Sequence, residues 1–263
     1  MPRLRSPNVD ASSRKQQLSE TMMTKTIVPL IAASALLAGC HARAEEGAGA
    51  TISKNYGVGA FQQIEVAGPY DVEVRTGASP SVSARGSERL LEHTEVEVHG
   101  DKLVIRTQKN RSLFNFGWGH HGKAQFVVTV PQLRGATIAG SGGIRIDKVA
   151  GPNFDGTVAG SGSLNLGTLA VQQLKLSIAG SGGVKAGTGT ADSAKYDIAG
   201  SGDIDAGAIQ AKGLDVTIAG SGGIKAHSSG TANVSIMGSG DVDVAGGAKC
   251  NISKAGSGNV RCS

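Results

Sequence analysis

Aromatic side chains are scarce in this 263-residue chain: Tyr56, Tyr70, Tyr196, Phe61, Phe114, Phe116, Phe126, Phe154 and Trp118 are the full set. That scarcity excludes a large aromatic core, and the composition fits neither a membrane helix bundle nor a heptad coiled coil. Proline is sparse too, and the forty glycines show no three-residue period, so collagen is excluded. Charged residues at 18% against hydrophobics at 39% do not suit a disordered chain. A basic run is also missing. The formal charge is +5, but Arg3, Arg5, Arg14, Lys15 and Lys25 all precede Cys40, against only Asp10 and Glu20. The chain beyond Cys40 carries little excess charge and no basic patch to track phosphates, so nucleic acid is not expected as a partner. One β-rich globular unit is the expectation.

The apolar stretch from Ile27 to Ala38 comes after Lys25 and is rich in Ala and Leu. Twelve residues span about 18 Å as a helix, too short for a bilayer core of roughly 30 Å, so it reads as the apolar region of a signal peptide. Leu37-Ala38-Gly39-Cys40 resembles a bacterial lipobox, which predicts cleavage before Cys40 and acylation of its thiol. His41, in place of an aspartate, resembles lipoproteins sorted to the outer membrane. Ordinary secretion with cleavage near Ala42-Arg43-Ala44 is the alternative. Either route leads to an oxidising envelope compartment.

A repeat organises the remainder. It reads IAGSGGIRI from Ile138, VAGSGSLNL from Val158, IAGSGGVKA from Ile178 and IAGSGDIDA from Ile198. IAGSGGIKA from Ile218, IMGSGDVDV from Ile236 and KAGSGNVRC from Lys254 complete it, with a degenerate copy, VAGPYDVEV, at Val66. Apolar and polar residues alternate on both sides of each turn, as in half-buried strands: Leu174, Leu176 and Ile178 share one face, Lys175 and Ser177 the other. Two strands and a corner in 18–20 residues cannot bury their own apolar face, whereas stacked coils can. The fold expected is all-β: a parallel β-helix, or β-solenoid, of about seven coils with a less regular N-terminal part. A meander of hairpins is the rival.

Stacking predicts ladders. Thr137, Thr157, Ser177, Asp197, Thr217, Ser235 and Ser253 form one outward row; Arg145, Asn165, Lys185, Asp205, Lys225, Asp243 and Arg261 form another. Signs alternate strictly in the second row from Lys185 onwards, which favours one register of coil upon coil. Upstream, Phe61–Val66 and Tyr70–Arg75 flank the degenerate corner, Thr94–His99 and Lys102–Arg106 flank His99-Gly100-Asp101, and Ser87–Glu92 suggests one helical turn. The chain thus divides into an N-terminal extension and signal peptide (1–39), a tether (40–56), an irregular β part (57–130) and regular coils (131–263).

The order Phe61–Val66, a turn, Asp71-Val72-Glu73-Val74, then Lys102-Leu103-Val104-Ile105 and repeated Gly-Ser-Gly coils resembles the GIN-domain family, also called the auto-transporter adhesin head domain. The resemblance spans about Phe61 to Cys262. It implies an envelope-anchored or secreted β-helical domain without an established catalytic activity or cofactor. Autotransport in the literal sense, through a translocator barrel, is not expected, and the family supplies no catalytic residues to carry over.

Several patterns carry a chemical reading. The serines from Ser141 to Ser257 lack the Gly-x-Ser-x-Gly elbow of a hydrolase, because Ala139 or its equivalent fills the first position. Gly117-Trp118-Gly119-His120-His121-Gly122 matches a dinucleotide fingerprint by letters only, without the helix and acid that the mechanism needs. Asp203-Ile-Asp205 and Asp241-Val-Asp243 suggest calcium, but Gly223 and Lys225 intervene between them; no metal is expected. Because β-helices also serve as polysaccharide lyases, a polysaccharide-processing enzyme is the alternative to a non-catalytic, adhesin-like binding or scaffold module. The partners expected are a membrane, through the lipid on Cys40, and a glycan or envelope protein. Phe114, Phe116 and Trp118, clustered among glycines, are the candidate ligand contact, or else a cap on the stack. Cys250 and Cys262 take inward positions on the two strands flanking the last corner, which predicts a disulfide across the final coil; two reduced core thiols are the alternative.

Overall fold

A computed structural model describes residues 50–108 and 124–263. In chain order the elements are β1 (Thr51–Tyr56), β2 (Gln63–Ala67), β3 (Asp71–Thr76), β4 (Ser81–Ser87), α1 (Glu88–Glu92), β5 (Thr94–His99), β6 (Lys102–Thr107) and β7 (Ala124–Val130). Next come β8 (Gly135–Gly140), β9 (Gly143–Gly160), β10 (Ser163–Gly180), β11 (Gly183–Gly200), β12 (Asp203–Gly220) and β13 (Gly223–Gly238). The last are β14 (Asp241–Ala245), β15 (Lys249–Ala255) and β16 (Asn259–Cys262). The fold is a β-solenoid of about six turns, its successive coils paired in parallel and in register.

The inward positions of β10 show how one long strand wraps a core. Leu164 and Leu166 are buried, then Leu169 and Val171, then Leu174, Leu176 and Ile178. Alternation by two slips phase twice, at Gly167 and at Gln172, and the ladder with β11 skips the same two residues. Each slip is a corner, so a coil has three short sides. We call the side following Gly-Ser-Gly face A and the side preceding it face B. Bulk is traded between inward neighbours on one strand: Tyr196 is buried beside Ala194, and Phe154 beside Gly156, where an added Cβ would come within 2.7 Å of Leu164. A fully buried Val, Leu or Ile contributes about 1.5–3 kcal/mol, and the column Ile138, Val158, Ile178, Ile198, Ile218, Ile236 supplies one such residue per coil.

The Gly-Ser-Gly corners are explained by the stack. Gly180 has φ +131°, a region that side chains avoid, and a Cβ there would sit 2.4 Å from the carbonyl oxygen of Gly160. Gly182 is as tightly held against Gly162 O. The corners also bond to one another: Ser181 N–H donates to Gly160 O at 3.0 Å, and Gly183 N–H to Gly162 O at 3.0 Å. The intervening serines are exposed. They carry the turn outward.

The N-terminal third does not stack in sequence order. β2 pairs with both β6 and β8, while β3 pairs with both β7 and β9, all in parallel. The coil β6–β7 therefore lies outside the coil β2–β3, and the chain returns past β2 and β3 to begin the regular stack at β8. Antiparallel β1 and β4 cover the face A edge, and antiparallel β5 covers the face B edge. Thr51–Tyr56, expected to belong to the tether, is thus a strand of the domain. Ile52 and Tyr56 are its apolar anchors against the core, and β4 pairs with it along one edge.

At the other end, Cys250 on β15 and Cys262 on β16 form a disulfide, with Cα atoms 6.7 Å apart. They stand in register with Ala232 and Val244. Cys250 is only half-buried and Cys262 is exposed, because no coil covers theirs within the described residues. Lys254 takes the position held by Ile236 one coil earlier, and its Nζ donates to Gly258 O at 2.8 Å.

Candidate functional site

The two outward faces carry different chemistry, and each holds a concavity. On face A a cavity of about 390 Å3 is lined by Asp71, Glu73, Gln125, Arg145, Ser163 and Asn165. These come from four strands brought side by side: Gln125 on β7 faces Asp71 on β3, Asp71 faces Gly143 on β9, and Gly143 faces Ser163 on β10. Glu73 stands beside Arg145, and Arg145 beside Asn165. Glycine at position 143 leaves the floor open; a Cβ there would come within 3.3 Å of Asp71 Oδ1 and of Ser163 Oγ.

The charges of this cavity are fixed. Arg75 Nε donates to Glu73 Oε1 at 2.9 Å. That hydrogen bond, reinforced by the positive charges of Arg75 and Arg145, holds the Glu73 carboxyl below the ordinary carboxylate range against a smaller opposing effect of desolvation. A general acid needs the opposite shift. Beneath the cavity's edge Asp147 accepts from Thr76 N–H at 3.0 Å, from Thr76 Oγ1 at 3.0 Å and from Lys148 N–H at 2.6 Å, clamping the end of β3 to β9. Between β6 and β7 the sequence has residues 109–123 in place of the Gly-Ser-Gly of the regular coils, and Ala124, the first residue of β7, lines the cavity. At the end of β6, Thr107 Oγ1 lies 2.8 Å from Tyr70 Oη; Thr94 Oγ1 lies 3.0 Å from the same phenol and donates to Leu90 O at 2.7 Å.

On face B the hydroxyl row runs in register from Thr137 to Ser253. Beside it runs a row not anticipated from the sequence: Asp155, Lys175, Lys195, Asp215, Asn233 and Asn251. Its signal was available, since Asp215, Asn233 and Asn251 occupy one coil position. Asn251 Nδ2 donates to Asn233 Oδ1 at 2.9 Å, and Asn233 Nδ2 to Asp215 Oδ1 at 2.8 Å. A shallow groove of about 510 Å3 runs along these last rungs.

The alternating row on face A has the expected register from Arg145 to Arg261. Its contacts are looser than the alternation suggests: Arg261 Nη1 and Asp243 Oδ1, 3.7 Å apart, are the pair within ion-pair distance among the described residues of the row. The two acidic coils serve the backbone. Asp203 Oδ1 accepts from Gly223 N–H at 2.9 Å, and Asp241 Oδ1 from Asn259 N–H at 3.0 Å, each replacing a corner bond of the next coil. Among the described residues no three His, Cys, Asp or Glu side chains are grouped to hold a metal ion. No helix among them is long and apolar enough to cross a membrane. Cys40, Phe114, Phe116, Trp118, His120 and His121 lie outside the described residues.

Solved structures share this architecture. A protein described as a putative adhesin from Bacteroides fragilis is 22% identical, with a TM-score of 0.69 over 81% of this chain and 97% of its own. One described as a putative lipid binding protein from Parabacteroides distasonis is 24% identical, with a TM-score of 0.67 over 82% and 98%. A putative adhesin from Parabacteroides merdae is 19% identical, with a TM-score of 0.64 over 82% and 98%. At such identities the likeness is one of fold. No curated protein matches the chain. Residues 60–248 match the family described as "Putative auto-transporter adhesin, head GIN domain", and by that match, together with its corner-stacked solenoid, the chain belongs to the GIN-domain family.

Proposed function

We propose that this protein is a cell-envelope lipoprotein, anchored through acylated Cys40, whose solenoid is a non-catalytic, adhesin-like binding module. The observation that carries the binding role is the face A cavity. Asp71, Glu73, Gln125, Arg145, Ser163 and Asn165 offer donors and acceptors of both signs on rigid strands, and Glu73 is held as an anion rather than poised as an acid. Such a set orients a polar ligand without activating it. Phe114, Phe116 and Trp118, carried on the segment that re-enters at Ala124, would add apolar contact. The ligand class is an envelope glycan or an envelope protein. The lipobox Leu37-Ala38-Gly39-Cys40 supports the anchor; several acyl chains hold firmly where one is marginal.

Two experiments test this reading. Mass spectrometry of membrane-fraction protein should show an acylated N-terminal cysteine, and Cys40→Ser should release the protein in soluble form; a mature chain beginning at Glu45 would overturn the anchor. On a glycan array the purified protein should retain ligands that Arg145→Ala loses. Shortening of a bound polysaccharide would instead establish the β-helix enzyme.

A further inference from the structure

The groove on face B is separate from the face A cavity, and its chemistry is of another kind. Asp215, Asn233 and Asn251 form one wall and Thr217, Ser235 and Ser253 the other, each row in register on successive coils. Parallel strands space these rungs about 4.8 Å apart. The amide chain from Asn251 through Asn233 to Asp215 gives the wall a fixed polarity. Each asparagine keeps one amide N–H and further acceptor capacity for a ligand. Charge drains from the face as the groove forms. The first row passes from Asp155, Lys175, Lys195 and Asp215 to the two asparagines, and the second carries no acid beyond Asp197.

A polyphosphate chain would need cations along this path, but the groove has the single Lys195, in register with Asp215. An acyl chain would need a deep apolar trough, whereas the apolar lining here is a shallow floor of buried Val216 and Val234 with the half-exposed Ile252, set between hydroxyl and amide walls. A neutral polymer dense in hydroxyls meets donors and acceptors on both sides at a regular interval. The half-exposed Ile252 at the groove's end is the apolar surface available to the edge of a sugar ring.

We propose that face B binds an extended neutral glycan, which lies along the solenoid axis and crosses the strands at about one sugar ring per rung. The ladder of Asn233 and Asn251 reads the chain from one side, and the Thr217, Ser235, Ser253 hydroxyls read it from the other.

The test is isothermal titration of the purified full-length protein with cello- and chito-oligosaccharides of two to six units. Affinity should rise with each added unit and level off at about four, when the rungs from Lys195 to Asn251 are filled. The double variant Asn233→Ala/Asn251→Ala should weaken the tetramer's binding by about ten- to a hundredfold, from roughly three- to tenfold per lost hydrogen-bonding group. Its circular dichroism and melting temperature should stay unchanged, because both side chains are exposed. Ser235→Arg, which fills the groove from the opposite wall, should abolish binding. Arg145→Ala should leave it intact, so the groove stands or falls independently of the face A cavity. Absence of binding by every oligomer, affinity independent of chain length, or full binding by both groove variants would each overturn the proposal.

Discussion

The two ends of the solenoid are closed by different means. At the N-terminal end the chain builds a lid: β6–β7 stacks outside β2–β3, and antiparallel β1, β4 and β5 cover the edges. Four of the six described aromatics gather there, Phe154 and Tyr196 lying in the regular coils. Phe126 meets Tyr70 edge-on at 5.5 Å and Tyr56 at 6.3 Å, with Phe61 also buried and Lys54 Nζ 5.0 Å above the Tyr56 ring. At the C-terminal end closure is covalent and electrostatic. A disulfide crosses the last coil, and Lys254 sits where earlier coils bury isoleucine or valine. A bare parallel edge would template further strands, and an inward charge is a known way to prevent that. A repeat supplies its own neighbours in the middle of the stack but not at its ends, so sequence must depart from the repeat at both.

That contrast can be broken at either end. Phe126→Ala should cost about 3–5 kcal/mol and lower the unfolding midpoint of the whole domain in denaturant, because Phe126 joins the lid to the first coils. Cys250→Ser should remove about 2–3 kcal/mol, with loss confined to β15 and β16; a uniform loss across the domain would deny that this end is separable. Lys254→Ile should change stability little, yet promote end-to-end association visible in sedimentation velocity, and a strictly monomeric variant would show that Lys254 is not the guard. The smallest effect concerns Glu73. Its folded carboxyl titrates below the ordinary range, chiefly through the Arg75 hydrogen bond, so the stability it contributes is present above the ordinary carboxylate value. That contribution is lost as pH falls through the depressed one. Glu73→Gln should therefore separate from the parent at neutral pH and converge with it in acid, as followed by pH-dependent denaturation.

Much of the stack was legible in the sequence. Glycine positions at intervals of 20 and then 18 give the coil length, and matched residues such as Thr137 and Thr157, or Lys225 and Asp243, give the register. The shortening to 18 is absorbed on the third side, where Ser228 takes the inward place of Ala211 and donates to Lys212 O at 3.4 Å. Reading stopped where the motif stops. The β2–β3 corner keeps only Gly68 and Pro69, and β6–β7 has no corner motif. No local pattern therefore reveals that the second of these coils lies outside the first. β1 escaped notice because its alternation is weak, with only Ile52 and Tyr56 facing inward. The face A cavity was half visible: Arg145 and Asn165 stood in a recognised row, but Asp71, Glu73 and Gln125 join them through pairings far apart in sequence. The lysine of KAGSGNVRC marked the guarded edge in plain letters, yet its meaning depends on the burial of the isoleucine column beside it.

Amide hydrogen exchange, compared between oxidised and reduced protein, tests most directly whether the two ends are closed independently. With the disulfide intact, protection should extend from β1 through β16 and be greatest in β9 to β12. Reduction should speed exchange in residues 249–262 while β1, β4, β5 and β7 keep their protection. Unchanged protection of residues 249–262 on reduction, or simultaneous opening of β1 and β4, would contradict the account.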